Sequence, residues 1–255
     1  LHVAAQLGIP LVDGDFMARA GPEFHQNTAH VFDVSVAPSV IASETGNVLL
    51  IERYADIDDY EALLRYVSVL AGGHAAVIDT PITKQTASRV VIKDTISKSM
   101  AVGKAILEAN REGRDPVQAL KQILDGFLVF TGIVDSYQWR NEKGFLFGDA
   151  KLSGTGDFRG RSFRSWIKNE HIFGWVDETP VVMPPDLIMF LGDRAYAITN
   201  DALKSGLKVS VMAAKAPDVW RSARGLELFG PRHFGFDYDY VPVEELAGAS
   251  SSSGI

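Results

Sequence analysis

Apolar positions recur at helical spacing after Asp56, at Ile57, Tyr60, Leu63, Leu64, Val67 and Leu70, until Gly72-Gly73 closes the run. On either side lie short apolar runs of strand character, Asn47-Val48-Leu49-Leu50-Ile51 and His74-Ala75-Ala76-Val77-Ile78, the second ending in Asp79. Pro10-Leu11-Val12, ending in Asp13-Gly14-Asp15, reads as an earlier buried strand. A helix is predicted from near Thr95, with Ile96, Met100, Gly103 and Leu107 on its inner side. Gly103 inside it costs about 1 kcal/mol relative to Ala, so close packing against a sheet is the expected reason for it. Asp115-Pro116 caps a third helix with Val117, Leu120, Ile123 and Leu124 inward and Gly126 as its stop. Alternating strands and helices predict α/β layers for residues 1–126.

The texture changes after Gly126. Residues 127–134 are β-branched and aromatic, and a turn at Asn141-Glu142-Lys143-Gly144 leads into Phe145-Leu146-Phe147-Gly148. Short strands are expected at 163–167, 172–176, 186–191 and 207–212, which together predict a small β-barrel-like domain over 127–246. The fold class is therefore α/β, a layered α/β domain followed by a smaller, mostly β one. The aromatic, Gly- and Asp-rich segment 230–240 is expected to pack back across the junction. Residues 2–8 read as the end of a helix already under way, so the chain is expected to be truncated at its N-terminus. The small-residue run 247–255 reads as a flexible tail.

Composition narrows the chemistry. With 32 acidic against 25 basic residues the net charge is −7, which disfavours a nucleic-acid or anionic-membrane surface. The absence of Cys excludes disulfides, thiolate nucleophiles and Cys-ligated zinc. No apolar stretch is long enough to span a bilayer and no signal peptide is legible, so a cytoplasmic protein is the expectation. Phosphate-loop, dinucleotide, Gly-x-Ser-x-Gly and His-Glu-x-x-His signatures are all missing.

The densest polar cluster runs from Asp13 to Glu23, with Asp15 and Arg19 between them. On a continuing strand Asp13 and Asp15 would share a side, giving a carboxylate pair with one raised pKa or a shared divalent cation. Arg19 would then face a developing anion or clamp a substrate carboxylate. The plainer alternative makes the two aspartates helix caps and pairs Arg19 with Glu23.

Leu7-Gly8-Ile9-Pro10-Leu11-Val12-Asp13-Gly14-Asp15, continued by Arg19-Ala20-Gly21-Pro22-Glu23, resembles the signature of the S-methyl thiohydantoin desulfurase domain family. Further landmarks follow in order: Thr45-Gly46-Asn47, Gly72-Gly73, Thr95-Ile96-Ser97, Gly144-Phe145 with Gly148, Asn169-Glu170, Pro185-Asp186-Leu187-Ile188 and Gly230-Pro231-Arg232-His233-Phe234-Gly235. The likeness runs to about Val243. Where the family usually has Gly, this chain has Ala18, which predicts a differently shaped loop before Arg19.

The resemblance implies hydrolytic desulfurisation of an S-methyl thiohydantoin or thiohydantoin ring, with release of thiol or sulfide. Asp13 and Asp15 would do the acid–base work or bind metal, Arg19 would be the charge partner, and Glu23 would orient it. Asp79, Thr95, Asn169, Glu170 and His233 are the candidate substrate-binding residues, although Asx-Pro turn chemistry accounts for Asp79 equally and an N-cap role accounts better for Thr95. Any cofactor is left open; for a divalent metal the candidate ligands are Asp13, Asp15 and His25. The implied partners are a cyclic small molecule and either a second copy or a hydantoinase-type subunit. Two alternatives stand beside this reading: a hydantoin- or oxoproline-type cyclic amide hydrolase, or its partner subunit, and a non-catalytic small-molecule-binding module.

Overall fold

The computed structural model describes residues 1–252. After α1 (His2–Leu7), Pro10, Leu11 and Val12 form no strand, and Leu11 and Val12 are 46% and 65% exposed. Only β1 (Gly14–Asp15) pairs, with β5 (Ile92–Lys93). A Cβ on Gly14 would lie 2.7 Å from the Ile92 carbonyl oxygen, so the pairing requires the glycine. Pro10 lacks an amide for a longer ladder.

α2 (Thr28–Val31) is followed by β2 (Ser39–Ser43), β3 (Val48–Ile51), α3 (Ile57–Leu70) and β4 (Ala75–Ile78). The three strands form an antiparallel sheet in the order β3-β2-β4. Tyr60, Leu64 and Val67 of α3 pack with Ile41 and Val36, while Leu63 and Leu70, expected on the same face, are exposed. Because the pairing is antiparallel, the rule that ligands gather at the carboxyl ends of parallel strands does not locate a site here.

α4 (Lys84–Val90) leads through β5 to α5 (Thr95–Arg111) and α6 (Pro116–Leu124). The inner face of α5 differs from the expected one. Met100 and Leu107 are 66% and 59% exposed, and a Cβ on Gly103 would meet nothing within 4 Å. Instead Val102 and Ile106 pack on Leu120, Leu191 and Met212, and Ala109 is buried. Both sides of this helix carry apolar residues, so tertiary packing selects between them. α6 begins as expected, with the Asp115 carboxylate accepting from Val117 N at 2.8 Å, and ends on left-handed Asp125 just before Gly126. Ile123, expected to point inward, is 36% exposed.

The remaining strands are β6 (Phe127–Glu142), β7 (Phe145–Gly154), β8 (Ser162–Lys168), β9 (Glu170–Val176), β10 (Thr179–Val182), β11 (Leu187–Leu191) and β12 (Lys208–Ala214). They make one antiparallel sheet, ordered β10-β9-β8-β7-β6-β12-β11, that curls into a half-barrel until β11 packs toward β9. The β6–β7 loop is Lys143-Gly144, both residues at positive φ, as a two-residue hairpin turn demands. Phe130, Leu152, Phe163 and Ile167 are fully enclosed in its core.

α7 (Asp218–Arg221), α8 (Ala223–Phe229) and the 3-10 turn Pro231–Phe234 follow. Phe236 and Tyr240 then pack on Phe173 and Trp175 of β9. α9 (Val243–Ser252) starts on buried Val243 and runs through most of the stretch expected to be a flexible tail. Once nucleated, each added residue of such a helix gains a hydrogen bond. Residues 253–255 of that expected tail lie outside the described residues. Among the described residues, no helix is long and apolar enough to cross a membrane.

Candidate functional site

The loop between β1 and α2 is shaped by polar contacts to distant elements. The Asp15 carboxylate accepts from the amides of Met17 and Ala18, folding a tight turn. Ala18 closes it at φ 55, in the left-handed region that glycine favours. The Cβ of Ala18 thus sits at a backbone conformation that glycine adopts more readily. Beyond it, Arg65 of α3 donates to the Pro22 carbonyl at 2.7 Å, and Phe24 N donates to the Glu61 carboxylate at 3.1 Å.

Arg19 emerges from this turn into the interior. Its Nη1 donates to the carbonyls of Pro185 and Asp186, its Nε donates to the Ala20 carbonyl at 2.9 Å, and its guanidinium lies 4.7 Å from the Phe229 ring centre. Burial pulls its pKa down to about 10, against the opposing charges of Glu170 and Asp186. Among the described residues, Nη2 has no hydrogen-bond partner.

Glu23 does not orient Arg19. Its carboxylate accepts instead from Lys168 of β8, from Gln26 at 2.7 Å and from His233 at 2.6 Å. Burial pushes this carboxyl up, but the bonds from His233 and Lys168 outweigh it and hold the pKa at about 2. Nε2 of His25 lies 3.3 Å from Nε2 of His233 and 3.6 Å from Glu23 Oε2, while its Nδ1 is 3.9 Å from Asp58. Burial lowers His25 to about 4, partly opposed by Glu23. Glu23, His25 and His233 thus bring three potential metal-ligand atoms within 4.8 Å of one another.

A cleft of about 1150 Å³ opens beside this loop. Of the sequence-predicted residues, Asp15, Arg19, Glu23, Asp79, Thr95 and Asn169 line it. Asp79 follows β4; burial raises its carboxyl, with the Thr80 hydroxyl donating to it at 2.9 Å and opposing the rise. Thr95 is the first residue of α5, not its cap, and its buried hydroxyl has no hydrogen-bond partner. Asn169 turns β8 into β9 at φ 54, its Oδ1 accepting from Leu146 N at 2.8 Å. Arg65, Lys98 and Lys215 also line the cleft, and no sequence signal singled them out.

Asp13, Glu170, His25 and His233 do not line it. Asp13 is exposed and caps α5 from outside the helix, accepting from Ile96 N at 3.1 Å, Ser97 N at 3.0 Å and the Ser97 hydroxyl. These bonds, the Ser97 hydroxyl's foremost, lower its pKa, the reverse of the raised member of a carboxylate pair. Asp13 and Asp15 thus accept from different sets of backbone amides, and the two carboxylates are not brought together as on a continuing strand. Burial raises the Glu170 carboxyl, with the charge of Arg19 pulling it back.

Residues 1–53 match the family model for the S-Me-THD-like N-terminal domain, and residues 55–243 match that for the S-Me-THD-like C-terminal domain. No curated protein matches the chain. Among solved structures, the fold is similar to that of a protein from Chromobacterium violaceum at 20% identity and a TM-score of 0.74. That match covers 94% of this chain and 68% of the other.

Proposed function

The chain belongs to the S-Me-THD-like family, the S-methyl thiohydantoin desulfurases, and we propose that its cleft hydrolyses the carbon–sulfur bond of an S-methyl thiohydantoin or related thiohydantoin. One observation carries this reading. Most of residues 15–23 of the family-signature segment form a wall of a cleft whose other sides offer a half-buried carboxyl of raised pKa, Asp79, and a buried hydroxyl without a hydrogen-bond partner, Thr95.

Asp79 is the general base. It takes a proton from water as the water oxygen bonds to the ring carbon bearing sulfur, and passes that proton to the ring nitrogen as the C=N electrons move onto it. As the tetrahedral carbon collapses to the carbonyl, Asp79 takes the remaining hydroxyl proton, the C–S bond breaks, and the proton passes to the departing thiolate. Water and S-methyl thiohydantoin thus become hydantoin and methanethiol. The free Nη2 of Arg19 faces the charge that develops on the ring, and Thr95 holds a ring amide or carbonyl. Glu23, held at about 2, stays ionised at neutral pH and is unsuited to donating the proton.

Methanethiol release from S-methyl thiohydantoins, followed with a thiol reagent, tests the reading. The wild-type protein is expected to release one thiol per hydantoin formed, and Asp79→Asn to lower kcat by about 10²–10⁴-fold. Ring-opened product without thiol would overturn the proposal in favour of cyclic amide hydrolysis.

A further inference from the structure

The geometry points to a divalent transition-metal site of zinc type formed by Oε2 of Glu23, Nε2 of His25 and Nε2 of His233. Nothing in the proposed reaction requires it, and it stands on the arrangement of these three atoms.

Their separations are 2.6, 3.3 and 3.6 Å. Three points so spaced lie on a circle of radius about 1.9 Å, so one position exists about 2.0 Å from all three, the usual zinc–nitrogen and zinc–oxygen bond length. The same three atoms then mark three corners of a distorted four-coordinate site, the Glu23–His233 angle compressed to about 80°, whose fourth corner is open.

Proton accounting favours a cation as well. An imidazole nitrogen has a single in-plane site, either an N–H or a lone pair. Nε2 of His233 nevertheless faces both the Glu23 carboxylate at 2.6 Å and Nε2 of His25 at 3.3 Å. One proton on His233 satisfies only one of those contacts. A cation at the common centre accepts all three lone pairs together.

The trio is also held from behind. Lys168 occupies Oε1 of Glu23 and Gln26 donates to one lone pair of Oε2 at 2.7 Å, fixing the carboxylate with the second lone pair of Oε2 as the ligand. Asp58 stands 3.9 Å from Nδ1 of His25, on the side where ligating histidines find a carboxylate or carbonyl partner. All three side chains are largely enclosed, at 10%, 9% and 22% exposure for Glu23, His25 and His233. Two imidazoles and one carboxylate suit zinc, whereas calcium and magnesium favour all-oxygen shells. Glu23 also lines the cleft, so the ion would sit in the cleft wall.

The test uses the full chain without substrate. After treatment with a chelator, the protein is titrated with Zn²⁺ by calorimetry and its retained metal is counted by mass spectrometry. One ion per chain is expected, bound at least about a hundredfold more weakly by His25→Ala and by His233→Ala, with circular dichroism reporting their folding. Co²⁺ added to the unaltered protein is expected to give the intense visible absorption of four-coordinate cobalt, a readout independent of any variant. Absence of stoichiometric binding, equal binding by both folded variants, or a six-coordinate cobalt spectrum would each overturn the site. Because these measurements need no turnover, they stand or fall apart from the thiol-release assay.

Discussion

The curled sheet and the loop of residues 13–27 lie against each other but are held by opposite means. The sheet encloses Phe130, Leu152, Phe163 and Ile167 completely, so apolar burial shapes it. The loop is set by hydrogen bonds to distant elements: Arg19 to the carbonyls before β11, Glu23 to β8 and the 3-10 turn, and Pro22 to α3. A surface set by burial tolerates polar change outside its core. A loop set by directional bonds is precise only while each distant partner stays in place.

Asp186 joins the two regions, and its loss is the largest effect expected. Its fully buried carboxylate accepts from Ala216 N at 2.8 Å, Arg221 at 2.7 Å, the Tyr240 hydroxyl at 2.8 Å and Val243 N at 2.9 Å. Its own carbonyl meanwhile holds Arg19. Asp186→Ala is expected to cost about 3–5 kcal/mol in denaturant unfolding, since it leaves buried amide and hydroxyl donors without an acceptor and removes one of the two carboxylates of Arg221, Glu244 remaining. A loss below about 1 kcal/mol would mean that the sheet keeps its ends in place without this hub.

Strand β9 of the sheet carries a polar weak point. The Nε2 atom of His171 is buried without a partner, and its ring stacks on Phe190 at 3.9 Å. Burial lowers its pKa to about 3 from an ordinary 6.5. Between those values the unfolded chain binds a proton that the folded one refuses, so stability falls as pH falls through that window. The slope is about 1.4 kcal/mol per pH unit near pH 5. Unfolding measured from pH 7 to pH 4 should show it beside a similar contribution from His25, which burial lowers to about 4, so His171→Phe should reduce the slope by about 1.4 kcal/mol per pH unit without abolishing it; an unchanged slope would place the acid sensitivity elsewhere.

Within the loop, Arg19→Met keeps the aliphatic stem but leaves two interior carbonyls without their donor. A loss of about 1–3 kcal/mol is expected, together with a greater proportional loss of thiol release. Equal losses would make Arg19 a structural clamp alone. Asp13→Ala should have the smallest effect. It removes a cap at the solvent-exposed start of α5 and should leave thiol release unchanged to within about twofold. A collapse of activity would return Asp13 to the site.

Much of the local structure was legible in the chain. The Asp56 and Asp115 caps, the Lys143-Gly144 hairpin and most strands after residue 126 follow from short-range preferences that hold in any environment. Of the site, the signature segment was legible, and with it Arg19, Glu23, Asp79 and Thr95 as candidates. Their roles were not. Asp13 and Asp15 looked like a pair because two positions on a strand share a side, yet the chain forms no strand across them, and the amides of Met17 and Ala18 claim Asp15 while those at the start of α5 claim Asp13. The inner face of α5 was equally open, because Met100 and Leu107 are no more apolar than Val102 and Ile106.

By itself, then, the sequence determined where helices and strands begin and turn, the family, and which segment contributes to the cleft, all of which depend on neighbours in the chain. Tertiary structure decided which apolar faces are buried, what holds Arg19, and that His233 meets Glu23 and His25 from about 210 residues away. The physical reason is range. Capping and turn energies act over a few residues, whereas desolvation, ion pairing and metal-ligand geometry depend on atoms brought within a few ångströms only by the closed fold.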